Sequence, residues 1–139
     1  MRNYKLVTYH PEEIKYTHTN EWIRIEGNIA TIGITDQAQD KLSDITSVTL
    51  PDEDEEIDIG DEVATIESVK TVIDIFSPVA GKIVEVNSLL LDAPGLINSA
   101  AYDDGWIFKV EMDDFSDFEQ LLSLDEYLEV LEEQDEEGT

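Results

Sequence analysis

Few side chains in this 139-residue chain can carry chemistry. There is no cysteine, which removes disulfides, thiolate metal sites and a thiol nucleophile. The two histidines, His10 and His18, are too isolated for a metal or acid–base role, and neither belongs to a His-centred triad. No phosphate-cradling glycine loop and no Cys/His metal cluster occurs. Among the few cations, one stands between strand-like runs. Glu67-Ser68-Val69-Lys70-Thr71 lies between two strand-like runs, 62–67 and 71–76, so a tight turn there projects Lys70 into solvent at a hairpin tip. The turn lacks the Asn-Gly or Asp-Gly pair that usually marks a hairpin. Lys70 is one of only 8 basic residues, but taken alone it reads as an ordinary surface lysine.

The elements that must position this lysine read mostly as short strands. In Glu21-Trp22-Ile23-Arg24-Ile25-Glu26, Ile23 and Ile25 alternate with charge, the period of a half-buried strand. Gly27-Asn28 turns the chain into Ile29-Ala30-Thr31-Ile32-Gly33-Ile34. Thr35 or Asp36 caps a short helix through about Leu42. Further strands are expected at 46–50, 62–67, 71–76, 82–86 and 106–112, punctuated by Gly60, Gly81, Gly105 and Ser77-Pro78. Closely spaced short strands argue for a sandwich or small barrel. Toward the end, Ser116-Asp117-Phe118-Glu119 and Ser123-Leu124-Asp125-Glu126 both fit the capping box, and Leu124, Tyr127, Leu128 and Leu131 form one apolar helical stripe.

The length suits one domain with one core, and a 41% hydrophobic, 30% charged composition is ordinary for a globular chain. No stretch approaches the roughly 18 apolar residues of a membrane helix. The N-terminal MRNYKLVTYHPEEIK has no apolar run and reads as neither a secretory signal nor a transit peptide, so the expected compartment is the cytoplasm. The balance of 34 acidic against 8 basic residues, net −26, repels nucleic acid and anionic lipid. Part of the excess sits in a loop run, Asp52-Glu53-Asp54-Glu55-Glu56, and part in a terminal run from Glu132, read as a fraying helix.

Glu67-Ser68-Val69-Lys70 resembles the lipoylation motif of glycine cleavage H proteins. The likeness continues through Tyr16-Thr17, Glu21-Trp22, Ala30-Thr31-Ile32-Gly33-Ile34-Thr35-Asp36, Ala38-Gln39, Leu50-Pro51, Ser77-Pro78, Gly81, Val84-Glu85-Val86-Asn87, Leu96-Ile97-Asn98 and Asp104-Gly105-Trp106, in the family's order and near its spacing. It covers about residues 16–131, leaving an N-terminal extension, 1–15, and an acidic tail, 132–139. It implies a mainly β, barrel-sandwich (lipoyl/biotinyl-like) fold with a short internal helix and C-terminal helices. Four positions depart from the family pattern. Asn20 stands where histidine is usual, and Ser43 and Asp54 where glycine is. Ala101 stands where proline is common.

The resemblance further implies lipoate joined to Lys70 by an amide, within a recognition motif of Glu67, Ser68, Val69 and Thr71. It implies a carrier rather than an enzyme, shuttling an aminomethyl group from glycine decarboxylase to aminomethyltransferase and then reoxidised by dihydrolipoyl dehydrogenase. A lipoate ligase or octanoyl transferase would load it, and a monomer suits such traffic. Positions corresponding to the family's arm cleft are Thr19, Glu21 and Asp74. Two alternatives stay open: a relay that passes lipoyl groups to other lipoyl domains through the same Lys70, and an acidic interaction module that is never lipoylated.

Overall fold

A computed structural model describes the backbone of residues 14–137 and side chains through Gln134. His10 and nearly all of the expected N-terminal extension lie outside the described residues. In chain order the elements are β1 (Ile14–Tyr16), β2 (Glu21–Glu26), β3 (Ile29–Ile34), α1 (Asp36–Leu42), β4 (Ile45–Thr49), β5 (Glu56–Ile57), β6 (Glu62–Ser68), β7 (Val72–Phe76), β8 (Gly81–Val86), α2 (Leu89–Asp92), α3 (Leu96–Ser99), β9 (Phe108–Met112), α4 (Ser116–Glu119) and α5 (Leu124–Glu137). They build a six-stranded sheet in the order β1-β2-β3-β9-β8-β5 and a three-stranded sheet in the order β4-β6-β7, with every pairing antiparallel.

The alternation in the sequence sets which face goes inward. Ile23 pairs with Ile32 across β2 and β3, and both are fully buried. From the opposite sheet, Ile66 and Ile75 enter the same core, which Ile83, Phe108 and Val110 complete. Each fully buried isoleucine contributes roughly 1.5–3 kcal/mol. Gly33 has a steric role: a β-carbon there would stand 2.7 Å from the indole of Trp22, which is fully buried and donates Nε1–H to Ala101 O at 2.9 Å.

Helix α1 starts where the sequence places it. Thr35 is the N-cap, its Oγ1 accepting the Ala38 N–H at 3.2 Å. The Ser123 capping box is also present in full: Ser123 N–H reaches Glu126 Oε1 at 2.9 Å, and Glu126 N–H reaches Ser123 Oγ at 3.2 Å. The box expected at Ser116 is not formed. There Asp114 Oδ1 takes the Ser116 N–H at 2.9 Å, so the donor that the Glu119 carboxylate would accept in the box is already bonded. The backbone of the acidic run is helical through Glu137.

β1 and β5 were not expected, since three and two residues are too few to show a period. β1 opens at the fully buried Ile14, two residues before the expected domain start. On the outer edge of β1, Tyr16 and Leu122 exchange backbone hydrogen bonds, both 2.9 Å, so the approach to α5 covers the edge that would otherwise stay open. Trp106, expected to open the last strand, lies in the preceding turn instead, its N–H bonded to Asp103 O.

The segments shared with the resembled family meet in space. Asn87 Nδ2 donates to Asp104 O and Trp106 O, at 2.8 and 2.7 Å. Asn98 accepts the Ile45 N–H and donates to Gln39 Oε1 and Ser43 O, fastening α3 to α1 and β4.

Three of the four departures from the family pattern are the described non-glycine residues at positive φ: Asn20 at 69°, Ser43 at 62° and Asp54 at 71°. The backbone keeps glycine-like geometry at Ser43 and Asp54 although the glycine is gone. Ser43 combines that φ with a ψ of −148°, a region that a β-carbon disfavours. Ser43→Gly is therefore expected to raise thermal stability by about 1 kcal/mol, readable as a higher Tm in calorimetry.

Candidate functional site

Lys70 stands where β6 turns into β7. Glu67 pairs with Val72, and Ser68 N–H reaches Thr71 O at 2.8 Å, so Val69 and Lys70 form the tip. Neither has positive φ, so this is not one of the mirror-image turns that favour Asn-Gly. A side chain closes it instead. The buried Ser68 Oγ accepts the N–H groups of Lys70 and Thr71, at 3.1 and 3.2 Å, and donates to Thr71 O. Val69 N–H bonds to Asp44 O at 3.0 Å, and Thr46 Oγ1 donates to Glu67 O at 3.1 Å, tying the tip to the chain around β4. The peptide frame is thus held, while the side chains of Val69, Lys70 and Thr71 are exposed. Among the described residues the Lys70 ammonium forms no ion pair.

Along β7 from this tip, the two sheets and α1 enclose a cleft of about 500 Å³. Ile73, Asp74 and Phe76 of β7 form one wall, the turn residues His18, Thr19 and Asn20 a second, and Ala38, Lys41 and Leu42 of α1 the third. Lys70 and Asp74 are four residues apart, at most roughly 14 Å. Of the three expected arm contacts, Thr19 and Asp74 line the cleft directly. Glu21 does not; it lies behind Thr19, 1% exposed.

Glu21 is held tightly. Both the Thr17 and the Thr19 hydroxyls donate to its Oε1. Oε2 is buried with no hydrogen-bond partner. Burial pushes the carboxyl above its ordinary value of 4.5, and the two threonines and the peptide N–H of Phe76 offset only part of that. An acid whose folded pKa lies above its unfolded pKa loses stability when it ionises. That penalty is absent below the ordinary value, grows as pH rises through the folded value, and is complete above it. Glu21→Gln is expected to melt above the wild type at pH 7, with the gap closing below about pH 4.5. Calorimetry across pH reads this directly. A carboxylate kept at such a cost is the kind of group that a binding site retains.

A second carboxyl group stands beside Asp74. Glu62, on the neighbouring strand, hydrogen-bonds to Asp74, and that bond together with the Asp74 charge raises the Glu62 carboxyl above its ordinary range. Two carboxyl groups so close favour a cation or a shared proton. His18 and Lys41 also line the cleft. Sequence reasoning missed both, because the 18–20 turn and α1 are separated along the chain and only the fold apposes them.

Trp22 belongs to the core and Trp106 is half-buried, with Lys109 Nζ 4.9 Å from its ring, so neither offers a binding platform. Among the described residues no group of three or more His, Cys, Asp or Glu side chains suits a metal ion, and no helix is long and apolar enough to cross a membrane.

The sequence pattern of the glycine cleavage H-protein family matches residues 14–134. Glycine cleavage system H proteins from two strains of Staphylococcus epidermidis are 48% and 47% identical over 123 residues, 88% of this chain and 98% of theirs. The crystal structure of a glycine cleavage system H protein from Mycobacterium marinum superposes with a TM-score of 0.78 at 34% identity. That superposition covers 86% of this chain and 97% of that one.

Proposed function

From the fact that this chain belongs to the glycine cleavage H-protein family, we propose that Lys70 carries lipoate and that the protein is the mobile carrier of glycine cleavage. The observation that supports this most is the exposed Lys70 amine, free of ion pairing among the described residues, on a fixed tip from which β7 leads directly to a cleft containing Asp74. These residues suit the group. A partner-free surface amine can be acylated, and a solvent-facing tip gives a loading enzyme access.

Glu67, Ser68, Val69 and Thr71 present the lysine to a lipoate ligase or octanoyl transferase, Ser68 by fixing the turn and the other three by their exposed side chains. Lipoate, when bound, supplies a disulfide that accepts the aminomethyl group of glycine and is later reoxidised. The chain's own residues shelter the load. Asp74, reinforced by Glu62, attracts a protonated amine, and Thr19 offers a hydroxyl beside it. Glu21 steadies Thr19 and adds negative potential from behind. Ile73 and Phe76 limit water access in that cleft, which slows loss of a labile load.

In this account the protein catalyses none of the steps. It visits glycine decarboxylase, aminomethyltransferase and dihydrolipoyl dehydrogenase in the cytoplasm as a monomer built on residues 16–131. Its acidic surface favours docking on basic or polar faces. A relay of lipoyl groups to other proteins has no use for an acidic, partly apolar cleft beside β7, which favours the glycine-cleavage role. Reconstitution tests the choice. The lipoylated chain, mixed with the three partner enzymes and glycine, is expected to support release of carbon dioxide and ammonia. Lipoyl transfer to a foreign lipoyl domain without glycine turnover would make it a relay.

A further inference from the structure

We infer that Tyr127 is a positioning residue of the cleft: its hydroxyl, carried in by α5, fixes the wall around Asn20 and the start of α1 relative to each other. The inference rests on the carrier reading for its use but on geometry for its substance. Tyr127 is fully buried and stacks on Tyr16, the centroids 4.8 Å apart and the planes 10° from parallel. Its phenol oxygen lies 2.8 Å from both Asn20 Oδ1 and Thr35 Oγ1.

The protons can be followed. Thr35 Oγ1 accepts the Ala38 N–H, so its own proton goes to the Tyr127 oxygen, and the phenol proton goes to Asn20 Oδ1. Thr35 N–H also bonds to Asn20 O at 2.9 Å. The phenol hydroxyl therefore adds a side-chain clamp to the junction that this backbone bond makes between Asn20 and Thr35. Asn20 sits at a φ of 69°, in the left-handed region that asparagine tolerates better than most residues with a β-carbon. Its neighbour Thr19 is the residue that both lines the cleft and donates to Glu21. The C-terminal helix, which contributes no residue to the cleft lining, thereby governs its shape.

Tyr127→Phe keeps the ring stacked on Tyr16 and removes only the hydroxyl. In the unlipoylated chain, native-state amide exchange is expected to quicken at Asn20, Thr35 and Ala38 roughly three- to tenfold more than at core amides such as Ile32 and Phe108. Leu131→Ala, also on α5 but outside the clamp, controls for general loosening and should quicken all of them alike. Asn20→Ala should reproduce the Tyr127→Phe pattern with the phenol intact. Uniform acceleration in Tyr127→Phe, matching Leu131→Ala, would overturn the inference.

In the lipoylated chain loaded through glycine decarboxylase, Tyr127→Phe is expected to lose its load by hydrolysis, to formaldehyde and ammonia, three- to tenfold faster at unchanged lipoylation of Lys70. Unchanged loss despite the localised exchange would also overturn it, by showing that the clamped wall does not serve the load. If the wild type took no lipoate at all, the carrier reading would fail, and the exchange pattern would still decide the clamp.

Discussion

Lys70→Ala and Lys70→Arg are both expected to lower glycine-cleavage turnover by at least about a thousandfold, while Tm stays within about 1–2 °C of the wild type. The two halves of this result have separate origins. The side chain is exposed and makes no ion pair among the described residues, so its removal disturbs nothing in the fold. The turn is held through Ser68 Oγ and the Lys70 peptide N–H, which every non-proline residue supplies. Function, by contrast, depends on an amine that forms an amide. Arginine keeps the positive charge but does not present that amine, so equal loss in both variants separates attachment from electrostatics. An Arg variant with wild-type turnover would show that charge alone matters. Assay with purified partner enzymes and the lipoylated wild type as reference, alongside melting curves, reads both quantities.

Gly81→Ala is expected to destabilise the chain by about 3 kcal/mol or more, lowering Tm by roughly 10 °C. Gly81 opens β8 and pairs with Met112 on one side and Ile57 on the other. A β-carbon there would stand 2.1 Å from the carbonyl oxygen of Glu111 and 2.9 Å from its carbonyl carbon. Both are backbone atoms in the middle of the six-stranded sheet, and relief requires β8 and β9 to separate. Side-chain motion cannot absorb such a clash, unlike the contact at Gly33, where the neighbour is the Trp22 ring. A Gly81→Ala variant melting within a few degrees of the wild type would contradict this close approach.

What was legible in the sequence follows from which forces act locally. The alternation through Ile23 and Ile25 and the Gly27-Asn28 turn specify a hairpin from neighbouring residues alone, and β2 and β3 form it. Thr35 and the Ser123–Glu126 box announce helix starts, because capping is settled within one turn. Ser116 misleads for the same reason: the box pattern takes no account of Asp114, a second carboxylate just outside it that already holds the Ser116 N–H. The Lys70 tip was placed correctly without a recognised turn signature, and its real device, a serine hydroxyl bonding two peptides ahead, is only weakly encoded in residue type.

The site was legible in part. Family likeness pointed to Thr19, Glu21 and Asp74, but residue type could not say which of them faces open space. The fold puts Thr19 and Asp74 in the cleft and Glu21 behind it, because Glu21 opens β2 on the side that turns inward. The clamp through Tyr127 lay beyond reach. Tyr127 was read as one member of an apolar stripe, which it is, but its hydroxyl meets Asn20 across 107 residues of sequence. No period or motif records such a contact.

The central claim is attachment at Lys70, and peptide-level mass spectrometry after co-expression with a lipoate ligase and lipoate tests it most directly. A lipoyl increment confined to the peptide that contains Lys70 is expected. An unmodified chain, in cells where a control H protein is fully loaded, would contradict it and leave an acidic interaction module in its place.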